Sequence, residues 1–131
     1  CIHHLFFDDT YYKSKGSLIK WNPAVKKKSD KEALLQGLLD GRLDVIATDH
    51  APHTFADKAQ PFDEAAVGIS VLETALGSLM GLVHSGKLDL PTLIQRLTEA
   101  PAKVLGLSKL GIGSISIGSN ADLVLIDPES E

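Results

Sequence analysis

Residues 44–54, Asp-Val-Ile-Ala-Thr-Asp-His-Ala-Pro-His-Thr, constrain this chain more than any other stretch: an apolar run stops at a carboxylate and turns at once into two histidines. Val45, Ile46 and Ala47 are continuous and apolar, the pattern of a parallel strand covered on both faces. Charge enters only at the end of that run, with Asp49, His50 and His53. Ligands sit beyond the carboxyl ends of parallel strands, so Asp49 stands where a metal ligand or a general base is useful. Pro52 fixes the turn that follows. A strand-end Asp-His pair also suits an ordinary Asx-capped turn. The second histidine so close by points instead to a metal or acid/base site, although these residues do not make a complete zinc shell.

The rest of the chain reads as strand, loop, helix, strand, long loop, three helices and strands. Ile2 to Phe7 reads as a strand end, with a turn at Asp8-Asp9-Thr10. Ser29-Asp30-Lys31-Glu32 has the pattern of a capping box, and Leu34, Leu35, Leu38 and Leu39 share one helical face until Gly41 stops the helix. The connection from Pro52 to Val67 is long enough to be read as an active-site loop. Ile69, Leu72, Leu76, Leu79 and Val83 follow the 3.6-residue period and predict a helix over 69–84, ended by Gly86. His84 then interacts with the last carbonyls of that helix and has no catalytic role. Pro91 opens a further helix through Leu93, Ile94 and Leu97; Thr98 caps a short one that Gly106 closes. Beyond Leu107 the pattern becomes that of short strands, Ile112-Ile117 and Ala121-Asp127, with a turn at Ser119-Asn120. Gly118 and Asn120 are structural in this reading, and Asp122 caps a turn.

Composition narrows the class. A length of 131 residues and a hydrophobic share of 44% suffice for a core. A formal net charge of −4 argues against nucleic acid or an anionic membrane as partner, since both call for clustered Lys and Arg. The run Lys26-Lys27-Lys28 is read as a solvated loop. A single cysteine excludes an internal disulfide framework and fits a reducing, cytoplasmic compartment. There is no signal-peptide pattern and no apolar stretch of membrane-spanning length. The start at Cys1 without a methionine is read as a piece of a longer chain.

Five segments carry a family resemblance. Thr48-Asp49-His50-Ala51-Pro52-His53-Thr54 resembles the strand-eight signature of dihydroorotases, the amidohydrolase-superfamily enzymes of pyrimidine biosynthesis. Cys1-Ile2-His3-His4-Leu5 resembles their strand-seven segment, usually Thr-Pro-His-His-Leu, with Cys1 and Ile2 as departures. Lys20-Trp21-Asn22-Pro23-Ala24-Val25-Lys26 resembles the Lys-x-Asn-Pro-Pro-Leu-Arg loop. Pro61-Phe62-Asp63-Glu64-Ala65-Ala66-Val67-Gly68-Ile69 resembles the Pro-Phe-Glu-Glu-Ala-Pro-Phe-Gly-Ile loop, with Ala66 and Val67 in place of Pro-Phe. The Gly-x-Ile-x-x-Gly-x-x-Ala-Asp-Leu-Val pattern at 113–124 resembles the segment where amidohydrolases leave the barrel for a small β-domain.

The resemblance implies an α/β fold: the C-terminal portion of a (β/α)8 TIM barrel, strands seven and eight with their helices, over 1–107, then strands of a small β-domain over 108–131. It implies a zinc-dependent hydrolase that interconverts L-dihydroorotate and N-carbamoyl-L-aspartate. Asp49 would be both a zinc ligand and the catalytic proton carrier; Asn22, His53, Val67 and Gly68 would bind the substrate, His53 at its carboxylate. The partner implied is a small-molecule substrate, with a homo-oligomer or a transcarbamoylase left open. A dihydropyrimidinase or allantoinase would share the strand-end Asp, and a non-catalytic scaffold is the alternative from another class. The family's His-x-His, its strand-four lysine or aspartate and its strand-five and strand-six histidines are not in this sequence. Residues 1–131 by themselves are therefore expected to show neither stoichiometric zinc nor turnover.

Overall fold

A computed structural model describes residues 1–128. The α-helices are α1 (Tyr12–Lys15), α2 (Lys28–Leu39), α3 (Phe55–Lys58), α4 (Ala75–His84), α5 (Leu90–Leu97) and α6 (Glu99–Val104), with 3-10 turns at Ile2–Leu5, Asp9–Tyr11, Gly16–Ile19 and Leu107–Leu110. The chain divides into two compact units, Cys1–Gly37 with Ala47–Ala75, and Leu38–Ile46 with the residues from Leu76 onward.

In the first unit, Ile19, Trp21 and Val25 form a buried cluster against which Phe7, Tyr12 and Ile69 pack. The Phe7 and Trp21 rings meet edge to face with centroids 5.1 Å apart, the arrangement that their quadrupoles favour. Asp8 caps the 3-10 turn after it, accepting from the Thr10 amide, and its other oxygen takes the Lys31 ammonium at 2.6 Å, which ties α2 to this end of the unit. That ion pair holds the Asp8 carboxyl below the usual carboxylate range. At the start of α2 it is Asp30 that accepts the Lys27 amide, so the expected Ser29–Glu32 box gives way to an aspartate reaching back. Gly41, at φ 82, follows the helix in a left-handed conformation that suits glycine. At the end of α2, where the second unit begins, Leu38 is buried and Leu39 exposed.

The second unit is built on α4, α5 and α6. Asp89 accepts the Thr92 amide at 2.8 Å and Pro91 occupies the first turn of α5, as the sequence predicts. Thr98 makes no side-chain cap; its hydroxyl donates back to the Ile94 carbonyl at 2.8 Å. Leu93 and Leu79, at 0% and 1% exposure, are the most completely enclosed large side chains. Leu93→Ala should therefore cost about 2–5 kcal/mol, read from the denaturant midpoint. A loss below about 1 kcal/mol would place Leu93 outside a packed core.

Three expectations are corrected. No strand occurs among the described residues: 2–5 form a 3-10 turn, 44–49 have no ladder, and 112–127 stay irregular. Parallel strands need bonded neighbours on both edges. Here the 44–51 segment has scattered bonds only, the Ile2 amide to the Ala47 carbonyl, the Ile46 amide to the Arg96 carbonyl, and a single parallel bridge between His50 and Ile69. Val45 and Ile46 are consequently half-buried and Ala47 exposed, not covered on both faces. Ile117 and Leu125 are fully exposed, with no second layer against them. The helix expected from 69 begins only at Ala75, because Val71 and Leu72 turn their amides onto His50. His84 bonds the Pro128 carbonyl at 2.9 Å, not the carbonyls of its own helix.

Candidate active site

The residues singled out in the sequence, Asn22, Asp49, His53, Val67 and Gly68, fall in the first unit, on three stretches of the chain. Asp49 is exposed and adopts φ 50, the single positive φ outside glycine among the described residues. A left-handed aspartate is tolerated, yet such backbones gather where a side chain must be aimed. Its charge is felt by His3 of the Ile2–Leu5 turn, where it opposes the effect of burial. His3 is buried between His4 and Trp21, with ring centroids 4.4 and 4.5 Å away. Burial, reinforced by His4, lowers its pKa to about 4, so the imidazole is neutral at neutral pH.

His50 has a different role from the one its place in the motif suggests. Its Nδ1 accepts the amides of Val71 at 3.1 Å and Leu72 at 3.0 Å, which fixes the proton on Nε2 and pins the segment after Ile69. His53 is held to the neighbouring loop: its Nε2–H donates to the Val67 carbonyl at 3.1 Å. Gly68 lies directly against them. A Cβ at this position would come within 2.6 Å of the Ala51 carbonyl and 3.1 Å of the His53 ring, and φ is 145, so glycine is required by space and by backbone. His53, Val67 and Gly68 are thus brought together as the sequence expects. Asn22 is exposed on the neighbouring loop, whose Lys20 carbonyl accepts the Gly68 amide at 3.2 Å.

Lys58 was missed by sequence reasoning. It is buried, and its ammonium donates to three backbone carbonyls, Lys20 at 3.0 Å, Ala66 at 2.9 Å and Gly68 at 2.8 Å. Burial, then the Lys20 charge, lowers its pKa. One side chain therefore fastens the 20–23 loop and the 66–68 loop to α3, itself started by the Thr54–Asp57 capping box. The only hint in the sequence is a lysine one turn after Thr54, which reads as solvated. A cavity of about 250 Å³ lies here, lined by His53, Phe55, Lys58, Gly68 and Ile69 among others. Lys58→Met should leave the Ala66 and Gly68 carbonyls unpaired, the Lys20 carbonyl keeping the Gly68 amide, and cost about 1–3 kcal/mol in the unfolding midpoint. An unchanged midpoint would show that the ammonium does not hold the loops.

Cys1, His3 and His4 also converge, each offering a ligand atom within 4.8 Å of the others. Of the residues that the family resemblance makes metal ligands, this chain supplies Asp49, which is accessible and chemically suited to hold zinc. A catalytic zinc takes about three protein ligands, so Asp49 fits one position of a shell and not the whole.

The Amidohydrolase family model matches residues 12–131. Among curated relatives, dihydroorotases from Thermoanaerobacter sp. (strain X514) and Bacillus cereus (strain AH820) are 43% and 45% identical over 98% of this chain. The chain spans 29% and 30% of the length of those two relatives. Among solved structures, the L-hydantoinase (dihydropyrimidinase) from Arthrobacter aurescens superposes with a TM-score of 0.82 at 28% identity, over 90% of this chain and 27% of that one. The D-hydantoinase (dihydropyrimidinase) from Thermus sp. gives 0.81 at 27% identity, over 92% of this chain and 28% of that one.

Proposed function

We propose that this chain, which belongs to the amidohydrolase family, is the part of a zinc-dependent dihydroorotase that carries the strand-eight aspartate and the substrate loops, acting in cytoplasmic pyrimidine biosynthesis. Residues 108–131 would join the small β-domain and residues 1–107 the barrel. The observation that carries the reading is the grouping of Val67 and Gly68 with His53, which follows Asp49 by four residues in the Thr48–Thr54 motif, within a segment 43–45% identical to dihydroorotases.

Ring opening of a cyclic amide needs an activated water, a polarised carbonyl and a proton for the leaving nitrogen. Zinc, when bound, supplies the first two as a Lewis acid that also lowers the pKa of water. Asp49 would be one of its ligands and would carry the proton from the attacking water to the amide nitrogen, which requires a carboxylate in reach of both. His53 would meet the substrate carboxylate. Its Nε2–H is engaged by Val67, so it would do so through Nδ1 as an imidazolium, or by turning away from Val67. Asn22 would hydrogen-bond the substrate, and Gly68, with Val67, would let the backbone approach the ring.

A second reading, a hydantoinase or dihydropyrimidinase, draws on the solved structures, which are themselves such enzymes. The two readings differ at His53, since a hydantoin or dihydropyrimidine ring need not carry a carboxylate. Competition between L-dihydroorotate and dihydrouracil in an enzyme of the relatives' full length separates them. Absence of turnover on either would favour the non-catalytic scaffold. No helix among the described residues is long and apolar enough to cross a membrane.

A further inference from the structure

We propose that Cys1, His3 and His4 form a binding site for a thiophilic divalent cation of the zinc type, separate from the catalytic role given to Asp49. The three side chains present one sulfur and two imidazole nitrogens within 4.8 Å of one another. That donor set is borderline-soft and suits zinc or cobalt over magnesium or calcium, which take oxygen ligands.

Two further observations point to a ligand. His4 Nε2 lies 2.8 Å from the Pro23 carbonyl, and a carbonyl can only accept, so Nε2 holds the proton and the Nδ1 lone pair is left for a metal. A ligating histidine is commonly oriented by such a bond from its other nitrogen to a backbone carbonyl. His3 is 3% exposed, and neither of its nitrogens has a hydrogen-bond partner among the described residues. An imidazole buried without partners is costly, and coordination would satisfy the nitrogen that accepts. The nearby Asp49 carboxylate adds a favourable field for a cation. With Asp49 as the one ligand that the resemblance supplies, residues 1–131 are expected to hold no stoichiometric zinc; a Cys1–His3–His4 site predicts binding without turnover.

The test is a titration of the purified chain with Co(II), read in the thiolate-to-cobalt charge-transfer band and the d–d bands of tetrahedral cobalt. Cys1 is the single cysteine, so a charge-transfer band reports its thiolate and no other. One equivalent of Co(II), displaced by Zn(II), is expected. Cys1→Ser should abolish the band, and His4→Ala should weaken binding by roughly 100-fold or more. Asp49→Asn should leave the band in place, so this site and the catalytic assignment fail independently. Zn(II) should also raise the melting temperature of the wild type more than that of Cys1→Ser. No charge-transfer band at saturating Co(II), or a band of equal affinity in folded His3→Asn and His4→Ala variants, would overturn the proposal.

Discussion

Asp49→Ala, made in an enzyme of the relatives' full length, should lower kcat for dihydroorotate hydrolysis by about three orders of magnitude or more. Two losses combine: a metal ligand, and the group that carries the proton to the leaving nitrogen, each worth factors of about 100 or more. The residue is exposed, so beyond about 1 kcal/mol for placing alanine at φ 50 the fold should hold and the main effect should appear in kcat. Asp49→Asn should lose nearly as much, because the amide cannot accept the proton. Rates within a few-fold of wild type in either variant would remove Asp49 from the mechanism.

His53→Ala should instead raise KM for dihydroorotate by about 10–100-fold while zinc content and kcat stay near wild type, the size expected when one charged hydrogen bond to a substrate is lost. Its ring is held by the Val67 carbonyl and touches the space that Gly68 leaves open, so its removal deletes a contact without collapsing the loop. Lys58, Lys20 and the capped α3 keep the loop in place from the other side. Loss of zinc in this variant would make His53 a ligand and refute its assignment to the substrate.

What could be read from the sequence followed the range over which each signal acts. The Thr48–Thr54 motif and the family it resembles were legible, and the match to the amidohydrolase family and to dihydroorotases bears that resemblance out. Helices announced by local chemistry were legible too, such as α5 with Asp89 and Pro91. Strands were not, because Val45-Ile46-Ala47 becomes a strand only when neighbours bond to both edges, and 44–51 has isolated bonds instead. The helix over 69–84 was drawn too long because its apolar period is blind to His50, which captures the Val71 and Leu72 amides from 21 and 22 residues away. Lys58 was invisible for the same reason: its three carbonyl partners come from two distant loops, and nothing in the local pattern marks a lysine as buried.

The most direct test of the central claim is the ratio of kcat/KM for L-dihydroorotate to that for dihydrouracil, the same ring without the carboxylate, in an enzyme of the relatives' full length. If His53 receives a substrate carboxylate next to an Asp49-centred hydrolytic site, dihydroorotate should be preferred by roughly 100-fold or more, and His53→Ala should erase most of that preference. A ratio near one, or faster opening of dihydrouracil, would contradict the dihydroorotase reading.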